Sequence, residues 1–172
     1  MNRTTTFALA FAGALAVGHV ATIMAAPWAI MHKAMEKLGQ GGPPNQFHFG
    51  GRTNSHARAV VRPSPDLAYA SCVYDLSSGP VAVLAAPTPG GGYVSLSVFD
   101  GRTDNIAVFD SLQHPAGIAF VLAMPGQTVP TGAEVVRSRS ARGIILDRRQ
   151  APTAEAFAIA DAARRTDRCA PL

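Results

Sequence analysis

The first pattern in the chain is a long apolar segment at its N-terminal end. No Asp, Glu, Lys or Arg occurs over residues 4–31. Residues 7–31 would form a helix of roughly 37 Å, whereas the apolar part of a cleaved secretory signal is usually only about 7 to 15 residues long. We therefore expect a retained helix that contacts the lipid bilayer through residues 7–31. Cleavage of the segment as a signal peptide stays open as the alternative.

The remainder of the chain shows short apolar segments that recur about every ten residues between Gly/Pro-rich turns. Such a pattern is typical of an antiparallel β-sandwich or barrel-like domain rather than of βαβ units. We expect residues 67–76 and 81–85 to form a hairpin across the turn 77–80. Further strands are predicted over residues 57–61, 93–99, 106–109, 119–124, 134–137 and 143–147.

Two segments flank this predicted β-rich region. The sequence GQGGPP at 39–44 should end a juxtamembrane helix and form a short linker. Near the other end, residues 152–165 are rich in alanine and open with Pro152 and Thr153, which predicts one C-terminal helix that packs Phe157 onto the sheet. The predicted organisation is an anchor and juxtamembrane helix at 1–38, a linker and lead-in at 39–56, and a β-rich domain at 57–172.

Charge changes this picture only near the C-terminal end. Residues 1–136 carry equal numbers of basic and acidic side chains, so the whole net charge of +4 comes from residues 137–172. Arginines can pair with phosphate groups of nucleic acid or lipid. No run of aromatic residues interleaves these arginines, so we expect no nucleic-acid partner and expect the arginines to be solvated. They are Arg137, Arg139, Arg142, Arg148, Arg149, Arg164, Arg165 and Arg168.

The chain has two cysteines, Cys72 in a predicted strand and Cys169 beyond the predicted C-terminal helix. An even number of cysteines in an exported domain favours a disulfide. We therefore predict a bridge between the two. The alternative is a buried, apolar Cys72 and a free thiol at Cys169.

The sequence offers little catalytic chemistry. His48 and His56 are two histidines without further ligands at suitable spacing, so we predict neither a metal site nor a cofactor. Asp66, Tyr69 and Asp75 are residue types that act in acid–base catalysis, but the two aspartates are also typical of turns and strand ends. An enzyme is therefore the less favoured alternative.

Several short motifs carry a family resemblance. They are Arg62-Pro63-Ser64-Pro65-Asp66 followed by Tyr69, then the segment 75–81 (DLSSGPV), Gly92-Tyr93 and Val98-Phe99-Asp100. Together they resemble the domain of unknown function 1254, most closely over residues 60–110, and in particular its small membrane-anchored bacterial branch. The resemblance implies a β-rich fold in the cell envelope and brings no established activity, cofactor or catalytic residue.

The same resemblance implies a partner. Larger members join this domain to a second one, the domain of unknown function 1214, which in the small branch is typically a separate protein. We therefore expect a single-pass inner-membrane protein with its domain on the periplasmic side, acting as a non-catalytic binding module, with a companion-domain protein as one candidate partner. The alternatives are an envelope enzyme and a periplasmic small-ligand-binding protein released by signal cleavage. Candidate binding residues are Arg62, Asp66, Tyr69, Asp75 and Asp100.

Overall fold

The computed structural model describes residues 2–54, 56–57 and 63–172. It opens with one helix, α1, over Arg3–Leu38. Asn2 caps this helix, because its side chain accepts a hydrogen bond from the backbone N–H of Thr4, and Gly39 ends it. The helix is long and apolar enough to cross a membrane, a test that a signal sequence also passes.

Nine strands and a second helix follow in the described part of the chain. The strands are β1 (Phe47–Phe49), β2 (Leu67–Asp75), β3 (Val81–Ala85), β4 (Val94–Phe99), β5 (Asn105–Asp110), β6 (Ile118–Ala123), β7 (Val135–Arg137), β8 (Arg142–Gln150) and β9 (Arg168–Pro171). Helix α2 covers Ala154–Arg164. The predicted mainly β fold with one N-terminal and one C-terminal helix is confirmed.

The strands form two sheets that pack face to face. The five-stranded sheet has the order β1-β2-β8-β4-β5, and the four-stranded sheet has the order β7-β6-β3-β9. Side chains alternate between the two faces of a strand, so every second residue points into the space between the sheets. Leu96 and Ile145 of the five-stranded sheet meet Val83 and Leu122 of the four-stranded sheet in this core.

A disulfide also connects the two sheets. Cys72 lies in β2 and Cys169 in β9, their Cα atoms are 6.6 Å apart, and 97 residues separate them in sequence. This is the bridge that the cysteine count predicts. It ties the C-terminal strand to the opposite sheet.

Helix α2 begins at Thr153, whose side chain accepts a hydrogen bond from the backbone N–H of Ala156. Ala160 is fully buried in a small cluster with Ala68 and Ala151, and Phe157 packs against that cluster. The predicted contact between this helix and the sheet is therefore present. The helix covers the end of the sandwich where β2 begins and β8 ends.

Two expectations about strand pairing need correction. Strands β2 and β3 do not form a hairpin: β2 pairs with β1 and β8, while β3 pairs with β6 and β9. Between them the chain crosses from one sheet to the other, because Leu76 is buried in the core and its N–H donates to the carbonyl of Ala141. The sheets are also not wholly antiparallel, since β7 runs parallel to β6.

Two further differences concern the ends of the domain. The sequence pattern did not predict β9, because only four residues, Arg168–Pro171, pair with β3 there. The strand predicted over 57–61 falls mostly on residues 58–61, which lie outside the described residues.

Candidate binding surface

The candidate residues taken from the sequence do not meet in one place. Asp66 precedes β2 and Asp75 ends it, so a strand of nine residues, or roughly 30 Å, separates them. Asp100 lies in the turn between β4 and β5. Arg62 lies outside the described residues.

At the start of β2, backbone groups and the Tyr69 hydroxyl form the local hydrogen bonds, and the Asp66 carboxylate does not take part in them. Tyr69 Oη accepts a hydrogen bond from the backbone N–H of Ser64 at 2.8 Å, and the carbonyl of Asp66 accepts one from Ala151 at 2.7 Å. The Asp66 side chain is exposed and accepts no hydrogen bond from the described residues. It is therefore the backbone of Asp66 that fixes the entry into the strand.

Asp75 and Asp100 both stabilise backbone turns. Asp75 accepts a hydrogen bond from the N–H of Ser77 at 2.9 Å, and Arg142 lies 3.4 Å away. Hydrogen bonding by the Ser77 side chain, helped by this N–H and by Arg142, lowers the pKa of the Asp75 carboxyl group. Asp100 is buried, and its Oδ1 accepts hydrogen bonds from Arg102 and Asp104. These bonds match the typical role of aspartate in turns.

The strongest polar cluster in the structure was not predicted from the sequence. Arg149 is fully buried between the sheets, and its guanidinium donates to Oδ2 of Asp147 at 3.0 Å and to both carboxylate oxygens of Asp167 at 2.9 and 2.8 Å. The same guanidinium also donates to the carbonyl of Ala86 and to Thr88 Oγ1. One arginine thus joins β8 to the loop after β3 and to the segment before β9.

This cluster holds two carboxyl groups and one guanidinium in the interior. Burial raises the pKa of Asp147, against the opposing effect of Arg149. Burial likewise raises the pKa of Asp167 to about 7, opposed by Arg149 and supported by the nearby charge of Asp147. Asp147 and Arg149 are 0% exposed, so a substrate cannot reach them without a structural change. The cluster is a structural connection rather than a catalytic site.

A second buried arginine, Arg164, lies at the end of α2. Its guanidinium donates to the carbonyl oxygens of Tyr69 and Gly50 and to Asp161 Oδ1. It also lies 5.7 Å from the ring centroid of Phe49. The expectation that all eight C-terminal arginines are solvated is therefore wrong for Arg149 and Arg164, because each is the central donor of a buried hydrogen-bond network.

The outer face of the four-stranded sheet is the most unusual surface of the domain. A row of cross-strand neighbours runs through Ala170, Ala82, Val121 and Val135. The adjacent row contains Leu84, which is 46% exposed, and its neighbour Ala119. We call these six residues the apolar face.

The apolar face forms a shallow groove of about 340 Å³ between β3, β6 and the segment before β7. Charged side chains lie only at its edges: Arg168 is the cross-strand neighbour of Leu84, and Glu134 precedes β7. On this face Leu84, Ala119 and Ala170 are exposed, Ala82 and Val135 are half-buried, and Val121 is buried. An apolar centre with a charged rim is the usual composition of a protein-binding surface.

The outer face of the other sheet is partly covered by the end of α1. Met31 is buried against Val73 of β2 and Ile144 of β8. The hydroxyl of Ser71 donates to the carbonyl of Leu38 at 3.0 Å, which satisfies a backbone group at the end of the helix. Helix α1 and the domain therefore share a packed interface.

Among the described residues, no group of three or more His, Cys, Asp or Glu side chains is arranged to hold a metal ion. Helices α1 and α2 thus both pack against the sheets, and the outer face of the four-stranded sheet carries exposed apolar residues.

A family profile described as a protein of unknown function, DUF1254, matches residues 44–171. The chain belongs to the DUF1254 family. The match covers the whole β-rich domain and confirms the resemblance carried by the motifs between residues 62 and 100. No curated protein matches the chain.

Two solved structures are similar to this DUF1254 chain. The VPA0106 protein of Vibrio parahaemolyticus superposes with a TM-score of 0.65 at 21% identity, over 85% of this chain and 36% of its own. An uncharacterised protein from Burkholderia cenocepacia superposes with a TM-score of 0.46 at 17% identity, over 82% of this chain and 37% of its own. This chain therefore spans just over a third of the length of each, and the first likeness supports the fold alone.

Proposed function

We propose that this protein is a membrane-anchored binding module of the cell envelope that docks a second protein on its apolar face. The observation that carries the proposal is the set of apolar residues exposed on the outer face of this sheet, namely Leu84, Ala119 and Ala170. They adjoin the half-buried Ala82. A sheet that faces water normally alternates apolar residues inside with polar residues outside. Here the outward positions are apolar too.

The sequences of the two central strands support the same proposal. Strand β3 reads VAVLA and strand β6 reads IAFVLA, with no polar residue in either. Uninterrupted apolar strands are typical of sheets that are covered on both faces. The inner face of this sheet is covered by the five-stranded sheet, and a partner protein would cover the outer face.

The partner that we propose is a protein carrying the companion domain, with an apolar surface complementary to this face. Support comes from the size of the similar solved structure, since this chain matches only 36% of the VPA0106 chain. In that structure the same fold lies in a chain with a further portion that it can contact. Arg168 and Glu134 at the rim would then set the orientation of the partner.

The proposed location is the inner membrane, with the domain on the periplasmic side. Helix α1 supports anchoring by its length and composition, and the Cys72–Cys169 disulfide supports an oxidising compartment. Carbonate washing of isolated membranes tests the anchor. We expect the protein to stay in the membrane fraction with its N-terminal segment intact, and release as a shortened soluble protein would contradict the anchor.

Site-specific photo-crosslinking tests the docking surface. A photoreactive amino acid replaces Ala119 at the centre of the apolar face, and a matched control replaces Ala158, which is exposed on α2. In intact cells we expect Ala119 to give one discrete adduct, identified by mass spectrometry as a companion-domain protein, and Ala158 to give none. An adduct with a second copy of this chain, equal adducts from both positions, or no adduct from Ala119 would each contradict the proposal.

A further inference from the structure

We propose that the domain sits directly on the membrane surface, with Trp28 at the lipid–water interface and Arg102 and Arg139 among the lipid phosphate groups. This inference rests on the proposed anchoring by α1. The proposed lipid contact lies on the opposite side of the molecule from the apolar face. It defines how the domain is oriented on the membrane. Phospholipid headgroups are the partner of this second surface.

The exposure of α1 divides the helix into two parts. Every described residue up to Ala25 is exposed, and burial against the domain begins at Ala26 and Pro27. Residues 7–25 form the apolar part that is exposed throughout and are roughly 28 Å long as a helix. That length is close to the hydrocarbon core of a bilayer, which is about 30 Å thick. The membrane-spanning part therefore ends where the domain begins, six residues before the end of the charge-free segment at residue 31.

Trp28 marks this boundary. Its ring packs against Gly101 in the turn between β4 and β5, so closely that a Cβ atom on Gly101 would lie 2.8 Å from the ring. The rest of the Trp28 side chain is open, with 51% of the residue exposed. Tryptophan is enriched at the interfaces of membrane proteins, where the ring lies at the level of the headgroups. A Trp28 at that level places the turn around Gly101 there as well.

Two arginines flank the contact with Trp28. Arg102 follows Gly101, and Arg139 precedes Ser140, whose Cβ also lies next to Gly101. Neither guanidinium has an ion-pair partner within the described ranges. Arg142 and Lys33 nearby are paired with Asp75 and Glu36.

Acidic groups also lie near this edge and limit its net charge. The Asp100 carboxylate is buried and bonded to backbone N–H groups, while the Asp104 side chain is exposed. Because basic and acidic side chains nearly balance at this edge, we expect contact with the phosphates of zwitterionic phospholipids rather than strong selection for anionic lipids. Guanidinium groups suit this role because they donate several hydrogen bonds to phosphate.

The protein contains a single tryptophan, so its intrinsic fluorescence reports the depth of Trp28 without labelling. Full-length protein is reconstituted into phosphatidylcholine vesicles in which the lipids carry bromine atoms either next to the headgroup or near the ends of the acyl chains. We expect the shallow bromine atoms to quench Trp28 more strongly than the deep ones. Stronger quenching by the deep bromine atoms, or quenching only by a water-soluble quencher, would overturn the inference.

The two arginines are tested in the same assay. We expect Arg102→Glu with Arg139→Glu to lose the preference for shallow quenching, because the introduced carboxylates repel phosphate and tilt the domain. Arg168→Glu, on the opposite sheet, is the control and should leave the quenching unchanged. An unchanged quenching profile in the double variant would show that Arg102 and Arg139 do not contact the lipid phosphates. Failure of the protein to remain in the vesicles at all would instead contradict the anchoring on which the inference rests.

Discussion

Cys72 in β2 and Cys169 in β9 join the two sheets through a disulfide that closes a loop of 97 residues. Because β9 is a short edge strand, the bridge fixes a segment that few hydrogen bonds hold. It also fixes Asp167, two residues earlier, in the buried cluster with Arg149. The covalent link and the ionic cluster therefore stabilise the same end of the chain.

The first prediction is that removing the disulfide destabilises the domain. We expect Cys72→Ala with Cys169→Ala to lower the free energy of unfolding by about 2 to 4 kcal/mol, since a long closed loop restricts the unfolded chain. Chemical denaturation of the full-length protein in detergent measures the loss. Two cysteines that are alkylated before any reduction of the native protein would contradict the bridge itself.

The second prediction concerns the buried arginine of the cluster. We expect Arg149→Met to lower the free energy of unfolding by about 3 to 5 kcal/mol, because it leaves Asp147 and Asp167 buried without their cation. The control Arg168→Met removes an exposed arginine of β9, whose side chain lies on the outer face of the other sheet, and should change stability by less than about 0.5 kcal/mol. Equal effects of the two variants would show that the cluster contributes little.

The third prediction follows from the raised pKa of Asp167, about 7 in the folded protein. An aspartate in the unfolded chain titrates near 3.8, so between these values the folded state holds a proton that the unfolded state has lost. Stability should therefore fall as the pH rises from about 5 to 7, with a slope of up to about 1.4 kcal/mol per pH unit for one proton. Aspartates with lowered pKa, such as Asp75, are ionised in both states across this range.

Unfolding measured at several pH values tests this slope. Asp167→Asn should flatten it, because the substituted side chain no longer takes up a proton. A native protein whose stability rises from pH 5 to 7, or a variant with the native slope, would show that the cluster does not bind the extra proton.

The strands of this fold follow from local patterns, but their pairing does not. The alternation in β4 and the Gly/Pro turns predict β2 to β7 to within one or two residues, whereas β8 extends three residues beyond its predicted end and β9 is not predicted. The crossing at Leu76 cannot be predicted locally, because a turn of this composition is equally suited to a hairpin within one sheet. What decides it is the burial of Leu76 between the sheets, which depends on residues far away in sequence.

The burial of the two arginines likewise cannot be predicted from local sequence patterns. Arg149 follows Ile145 and Asp147 at every second position of β8, so alternation alone places all three on the inward face. A charged residue on that face contradicts the hydrophobic pattern unless a partner is present. The partner Asp167 comes from a segment after α2, and no local signal shows that it reaches the cluster.

The sequences of the two central strands carry a signal for the apolar face. The strands β3 and β6 contain no polar residue, which indicates burial on both faces. Residue chemistry and the family motifs instead indicate candidates in other parts of the domain, namely Asp66, Tyr69, Asp75 and Asp100. Of these, Tyr69, Asp75 and Asp100 form hydrogen bonds that organise turns and strand ends.

The fourth prediction concerns the contact between Gly101 and Trp28. Gly101→Ala places a Cβ atom 2.8 Å from the ring and 3.1 Å from the carbonyl oxygen of Arg142. We expect a loss of about 1 to 3 kcal/mol, as for other overpacked sites, together with a changed Trp28 emission. Gly51→Ala is the matched control, because nothing lies within 4 Å of a Cβ atom there. Identical Trp28 emission in the native protein and Gly101→Ala would contradict the contact.

The fifth prediction tests whether the apolar face is the docking surface, with two matched lysine substitutions. Ala119→Lys places a charge in the middle of the face, and Ala158→Lys places one on the exposed side of α2. Both positions are open to solvent, so both variants should keep the native thermal stability of the isolated protein. Any difference between them in binding then reflects the surface and not the fold.

The measurement is purification of tagged full-length protein from membranes in mild detergent, followed by determination of the mass and composition of the complex. We expect the native protein and Ala158→Lys to carry the same companion-domain protein in fixed proportion, and Ala119→Lys to lose it. Retention of that protein by Ala119→Lys, or its absence from the native preparation, would contradict the assignment of the apolar face as the docking surface.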